Sequence, residues 1–178
     1  MLPLPHITHA AADASIQKQF GMARSPLWDE TRKNYLAANP KCAVCGDTSN
    51  VEVHHKFPFH YVVTLGRPDL ELDERNFITL CEDTIHGHHL LIGHLDDWKS
   101  YDYPAQPDRL DAFVTKFKSK DQTFIRSDTA FKTAEAAKPP HLDKMTAAQK
   151  AAFKQLLDQT IPANAALTQK AVDARKGL

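Results

Sequence analysis

The chain has 178 residues, 42% hydrophobic and 25% charged, with 22 basic and 22 acidic side chains. That length allows one domain with a core, or a small domain plus an extension, and the composition excludes disordered and fibrous classes. Its zero net charge hides a division: residues 1–103 carry 9 Lys and Arg against 14 Asp and Glu, while residues 104–178 carry 13 against 8.

No apolar run approaches the roughly 20 residues that cross a bilayer, so no membrane association is expected. The N-terminus lacks the basic start and apolar stretch of a secretory signal. Three cysteines, two of them in Cys42-x-x-Cys45, cannot all pair with one another. That usage points to a reducing compartment, the cytoplasm.

In chain order, residues 1–22 show no periodicity and contain Pro3 and Pro5. A flexible arm is expected, with His6 and His9 solvated. Residues 25–38 read as a helix, with Ser25 as N-cap, Pro26 in the first turn and Asp29 and Glu30 at its positive end. Asn39-Pro40 stops it. Trp28, Thr31, Tyr35 and Leu36 share one face, which should pack on the rest of the domain.

Cys42-Ala-Val-Cys45-Gly46 forms a tight turn. Two thiolates at this spacing reach one tetrahedral ion, and the glycine relieves the turn. Val51 to His55 alternates apolar and polar, the pattern of a strand, and delivers His54 and His55 to opposite sides of its end. Pro58 breaks pairing. Residues 61–75 read as an irregular loop, with a short extended piece at Leu70 and Leu72. Asn76 to Cys81 is a second strand-like run, and a hairpin would bring Cys81 beside Cys42 and Cys45.

His88-His89-Leu-Leu-Ile-Gly93-His94 opens a helical stretch running to Trp98. His89 and His94 are five residues apart, so on an ordinary helix they share a face only imperfectly, and Gly93 bends or ends it. Beyond Tyr103 the composition shifts. Asp108 caps a helix whose apolar stripe is Leu110, Phe113, Val114 and Phe117, with Lys116, Lys118 and Lys120 at its end. Lys138 to His141 is a linker. Thr146 and Gln149 make a capping box for a helix that Pro162 ends, and an alanine-rich last helix follows.

In this order Cys42-x-x-Cys45, Val53-His54-His55, Asn76 to Cys81 and His88-His89 resemble the HNH (ββα-metal, His-Me finger) endonuclease family, in its zinc-knuckle-bearing subset. Gly93-His94 and Trp98 to Tyr101 strengthen the likeness. It covers roughly residues 23–103. The resemblance implies an α+β fold with a small ββα-metal core. It divides the chain into a flexible arm (1–22), an HNH nuclease domain (23–103) and a helical C-terminal extension (104–178).

It also implies the roles. His55 matches the general base, and Asn76 the asparagine that orients the base or its loop. His54 and His89 match ligands of a catalytic metal, with His94 a further ligand. Cys42, Cys45 and Cys81 hold a structural zinc. Thr84 stands where many members carry another cysteine, so the fourth zinc ligand is a histidine: His88 is favoured and His86 is the alternative. The catalytic ion is Mg²⁺, Mn²⁺, Ni²⁺ or Zn²⁺, and several imidazoles suit the transition metals better.

The expected activity is hydrolysis of DNA phosphodiester bonds with one catalytic metal. Two other classes remain open: a zinc-dependent nucleic-acid-binding module without catalysis, and a nuclease toxin or effector with a cognate protein partner. A pure binding module needs neither His55 nor Asn76. Residues 104–178 serve as a DNA clamp in the first reading and as a protein-partner segment in the last.

Overall fold

The computed structural model describes residues 17–18, 21–83, 85–98, 100–102, 109–176 and 178. His6, His9, most of the expected arm, Thr84 and the expected cap at Asp108 lie outside these residues. The described chain mixes helix and strand, as the α+β expectation requires, around a two-stranded sheet.

Helix α1 spans Trp28–Ala38, and Asn39 closes it by donating its backbone N–H to Tyr35 O. The start expected at Ser25 is corrected: the helix begins after a turn, and no side chain caps it. Ser25 is buried in that turn, where its Oγ accepts from Leu27 N–H at 3.3 Å and its backbone N–H goes to the Glu71 carboxylate at 3.0 Å, so its hydroxyl is used ahead of the helix and not on the first helical N–H groups. Trp28 anchors the inward face against Val53 and Phe77, with Tyr35 and Leu36 packed around them.

Strands β1 (Val51–His55) and β2 (Phe77–Cys81) pair antiparallel, with Val51 opposite Cys81 and His55 opposite Phe77. This register sends Cys81 to one end of the hairpin and the His54–His55 pair to the other. The cysteine turn docks on β2 through Ala43 N–H to Thr79 O at 2.9 Å, and Gly46 supplies its positive φ of 78°.

The segment between the strands corrects the irregular-loop reading. It holds helix α2 (Phe59–Thr64) and two 3-10 turns, Pro68–Glu71 and Glu74–Asn76. Leu70 and Leu72 are both buried. Their alternation reflects inward placement on and beside a tight turn, not an extended strand.

After β2 the chain forms a π-helical turn over His89–Gly93, ended by Leu95 and Asp96 in the left-handed region at φ 51° and 58°. Helices α3 (Arg109–Lys116), α4 (Gln122–Ser127) and α5 (Thr129–Ala136) follow. The expected stripe on α3 buries Leu110 and Phe113, and Phe117 just beyond, against Leu80, Leu91 and Ile92. Helix α6 (Ala147–Thr160) carries the expected capping box of Thr146 and Gln149. Its Phe153 and Leu157 close a second core over Phe57, Tyr61, Leu70 and Tyr101. Helix α7 (Ala165–Arg175) is capped by Asn164. No described helix is long and apolar enough to cross a membrane.

Candidate metal centres

Two clusters of metal-ligating side chains lie at the two ends of the hairpin. At the cysteine end, Cys42, Cys45, Cys81 and His88 each offer one atom, all within 4.8 Å of one another. His88 Nδ1 is 3.2 Å from Cys81 Sγ and 3.6 Å from Cys42 Sγ, and Cys45 Sγ is 3.8 Å from Cys81 Sγ. These four side chains could hold a metal ion.

The other nitrogen of His88, Nε2, donates to the carbonyl of Lys120 at 3.3 Å. A carbonyl only accepts, so Nε2 carries the proton and Nδ1 offers its lone pair to the sulfurs. Orientation of a ligating histidine through its second nitrogen is the usual outer-shell device. His86, the alternative, is turned away from this set. Its Nδ1 is 3.1 Å from the Asp83 carboxylate, and its ring stacks on that of His88. With Cys81 and Asp83 it forms a separate group that shares one sulfur.

Left to themselves the three thiols divide. Donation from Cys81 holds Cys42 down to about 3, while that same bond pushes Cys81 up. Burial pushes Cys45 up. Binding a dication to three thiolates would therefore release about two protons near neutral pH.

At the other end, His54, His89 and His94 each bring a ring nitrogen within 4.8 Å of the others. Their ring centroids are 4.9–5.2 Å apart. The π turn explains how two histidines five residues apart face one point. Its i→i+5 hydrogen-bonding pattern widens the turn, so residue i+5 comes closer to the face of residue i than it would on an α-helix. Gly93 brings the third ring in: a Cβ there would lie 2.9 Å from His54 Cε1 and Nδ1.

His89 Nδ1 donates to the Glu82 carboxylate at 2.6 Å, and His94 Nδ1 donates to Ser100 O at 2.7 Å. Both bonds leave Nε2 as the lone-pair nitrogen. His54 Nε2 is buried without a hydrogen-bond partner. Two Nε2 lone pairs and an orphaned buried nitrogen on the third ring, in one cluster, fit a divalent cation. Burial, then the neighbouring imidazoles, hold His54 well below the usual histidine range, and burial brings His94 to about 3. Both are neutral near pH 7, as ligands must be. Trp98 lies against His89 and His94 at 5.2 and 4.9 Å and is half exposed.

His55 stands apart from this triad. Its Nε2 donates to the main-chain carbonyl of Glu71 at 3.0 Å, and its ring lies 4.5 Å from that of Trp28. The bond fixes the tautomer with the lone pair on Nδ1. Burial first, then the Arg24 charge, holds its pKa well below the usual value, so the unprotonated form prevails.

Asn76 is fully buried and contacts the loop rather than the triad. Its Nδ2 donates to Phe57 O at 3.0 Å and Leu70 O at 2.8 Å, and its Oδ1 accepts from Phe57 N–H at 2.8 Å. Asn76 thereby holds the peptide next to Glu71, whose carbonyl orients His55.

The outer partners Glu82, Lys120 and Glu71 gave no signal in the sequence, because two act through main-chain carbonyls and Glu82 lies in no motif. Gly93 was legible as a helix breaker, but not as the seat of the His54 ring. No protein-family model, curated protein or solved structure matches the chain.

Proposed function

We propose that the protein is a metal-dependent endonuclease that hydrolyses DNA phosphodiester bonds, with His55 as general base. In this reading β1, β2 and the π turn form the ββα-metal core of an HNH nuclease. The supporting observation is the pairing of two arrangements at adjacent residues. His54, one of three clustered imidazoles, has a buried nitrogen without a hydrogen-bond partner, while His55 is locked in the tautomer that accepts a proton at Nδ1. A binding module has no use for the second arrangement.

His55 Nδ1 takes a proton from water, and the resulting hydroxide oxygen bonds to phosphorus as the bond to the 3′ oxygen breaks. The products are a 5′-phosphate and, after proton uptake from solvent, a 3′-hydroxyl. A divalent ion held by His54, His89 and His94 supplies charge neutralisation on the phosphate and at the leaving oxygen. The imidazole set suits Zn²⁺, Ni²⁺ or Mn²⁺ before Mg²⁺. The three-cysteine, one-histidine set is that of a structural Zn²⁺. Bound there, zinc would tie the cysteine turn and β2 to His88, the neighbour of His89.

The test is plasmid cleavage by metal-stripped protein resupplied with Mg²⁺, Mn²⁺, Ni²⁺ or Zn²⁺, for wild type and His55→Ala. Wild type is expected to cut, and His55→Ala to lose at least about 100-fold in rate while keeping one tightly bound zinc. Cleavage that survives the substitution removes His55 from the role of base. Absence of cleavage by wild type with every metal, on plasmid and on single-stranded DNA, ends the nuclease reading.

A further inference from the structure

Glu71 is a fully buried carboxylate that no motif predicts. Its main-chain carbonyl orients His55 at 3.0 Å. Its side chain gathers two hydrogen-bond donors and one further cation from distant parts of the chain. Ser25 N–H reaches Oε1 at 3.0 Å, Arg24 Nη1 stands 3.9 Å from the same oxygen, and Arg175 Nη2, at the end of α7, binds Oε2. Arg175 forks, with Nη1 donating to Ala23 O at 3.2 Å. The last helix therefore ties together the lead-in to α1 and the 3-10 turn that presents the Glu71 carbonyl.

We propose that Arg175 is a positioning residue for the His55 imidazole, acting through Glu71. This rests on the reading of His55 as the general base. The peptide that contacts His55 is held from two sides. Asn76 grips the preceding carbonyl, Leu70 O, at 2.8 Å, and Arg175 grips the Glu71 side chain. Without Arg175 the carboxylate keeps one backbone donor and one distant guanidinium inside a dry site. It must then move toward water or take up a proton, and either response shifts the main-chain carbonyl that selects the His55 tautomer. Bonds to a carbonyl weaken steeply with angle and distance, so a small shift frees the ring. The helical extension is in this respect part of the catalytic site and not an appendage.

The experiment compares full-length, zinc-loaded wild type with Arg175→Gln at one fixed pH. It reads the ¹⁵N signals of the His55 ring, zinc per chain, and kcat and KM for DNA cleavage. Wild type is expected to show the single Nε2–H tautomer. Arg175→Gln is expected to show averaged ring signals, unchanged zinc, and a kcat about 10- to 100-fold lower with KM within about twofold. If Arg175→Gln fails to fold, the pair Glu71→Gln with Arg175→Gln removes the buried carboxylate together with the cation bound to its Oε2, and is expected to show the same averaged ring.

Wild-type ring signals in a folded Arg175→Gln or in the double variant overturn the proposal, even where DNA cleavage depends on His55 and the nuclease reading stands. A ring freed in the variant, in a protein whose wild type cuts no DNA, keeps the positioning role and removes the nuclease reading.

Discussion

Gly93 shows how one missing side chain decides a site. Its backbone is the surface on which the His54 ring rests, so Gly93→Ala puts a methyl 2.9 Å from two ring atoms. The ring is fully enclosed and cannot swing away cheaply. Gly93→Ala is expected to weaken Co²⁺ or Ni²⁺ binding at the histidine triad by at least about tenfold, while zinc at the cysteine set stays stoichiometric. Calorimetric titration of zinc-loaded protein measures this, and an unchanged affinity would show that His54 is not a ligand. Asn76 teaches a related lesson. The sequence marked it as important, and its three hydrogen bonds show that it acts on the loop that carries Glu71.

Among the elements, the π turn and the cysteine turn carry the most consequence. The spacing of His89 and His94 looked poor on an α-helix, and the wider turn converts it into convergence. His88 and His89 are neighbours, yet one serves the cysteine cluster and the other the histidine cluster. The cysteine cluster is also continuous with a core: Cys42 and Cys81 pack in the same group as Leu91, Phe117, Ile125 and Phe131. His88 reaches the carbonyl of Lys120 beyond α3. Removing the zinc proposed for the cysteine cluster should therefore loosen α3 to α5 as well as the hairpin. We expect chelation to lower the melting temperature by about 10 °C or more and to cost hydrogen-exchange protection in β2 and around Phe117 together. Loss confined to residues 42–46 would show that the knuckle is a separate unit.

At the scale of the molecule, the opposite charges of the two halves meet within the fold. Arg109 pairs with Asp102, Arg126 with Asp96, Lys138 with Asp97 and Arg175 with Glu71. In the other direction Arg67 reaches Asp158 and Ile161 O, and Arg75 reaches Pro162 O. Much of the basic surplus beyond residue 103 is thus spoken for by the first half. Deleting residues 139–178 removes Phe153 and Leu157 from the core over Tyr61 and Leu70. The truncated chain is expected to lose cooperative unfolding and to bind a hydrophobic dye, since losing a buried Phe and a buried Leu from a core costs about 2–5 kcal/mol each. A cooperative melt of residues 1–138 would show that the extension is separable.

The buried histidines give the whole fold a pH dependence. His54, His55, His60 and His94 are all held below the usual range, burial being the largest cause, with His60 and His94 at about 3. In the unfolded chain they take up protons near pH 6.5 and in the fold they do not, so the stability they contribute is full above that pH and is lost as pH falls below it. The depressed carboxylates begin to act only below about pH 4. In the metal-free protein Cys42, held at about 3, adds a slope of the same sign across the window from about pH 6.5 to 4. Urea midpoints of chelator-treated protein at pH 7.5, 6.0 and 5.0 should decline by amounts equivalent to about 1 kcal/mol or more per pH unit. A flat profile would mean that these rings are solvated.

Local pattern determined much of this protein. The turn at Cys42, the two strands, the stripe on α3 and the box at Thr146 were all legible, because each is set by residues a few positions apart. The convergence of Cys81 with Cys42 and Cys45 followed from pairing two recognisable strands. Tertiary structure alone decided the rest. It chose His88 over His86, since only the Lys120 carbonyl turns the His88 ring toward the sulfurs. It made a π turn of a stretch whose spacing looked faulty, and it set the Glu71 carbonyl against His55 by ties to α7, 104 residues away. Main-chain acceptors and buried ion pairs leave no mark on sequence pattern, because any residue supplies a carbonyl and only the folded chain brings the donor to it.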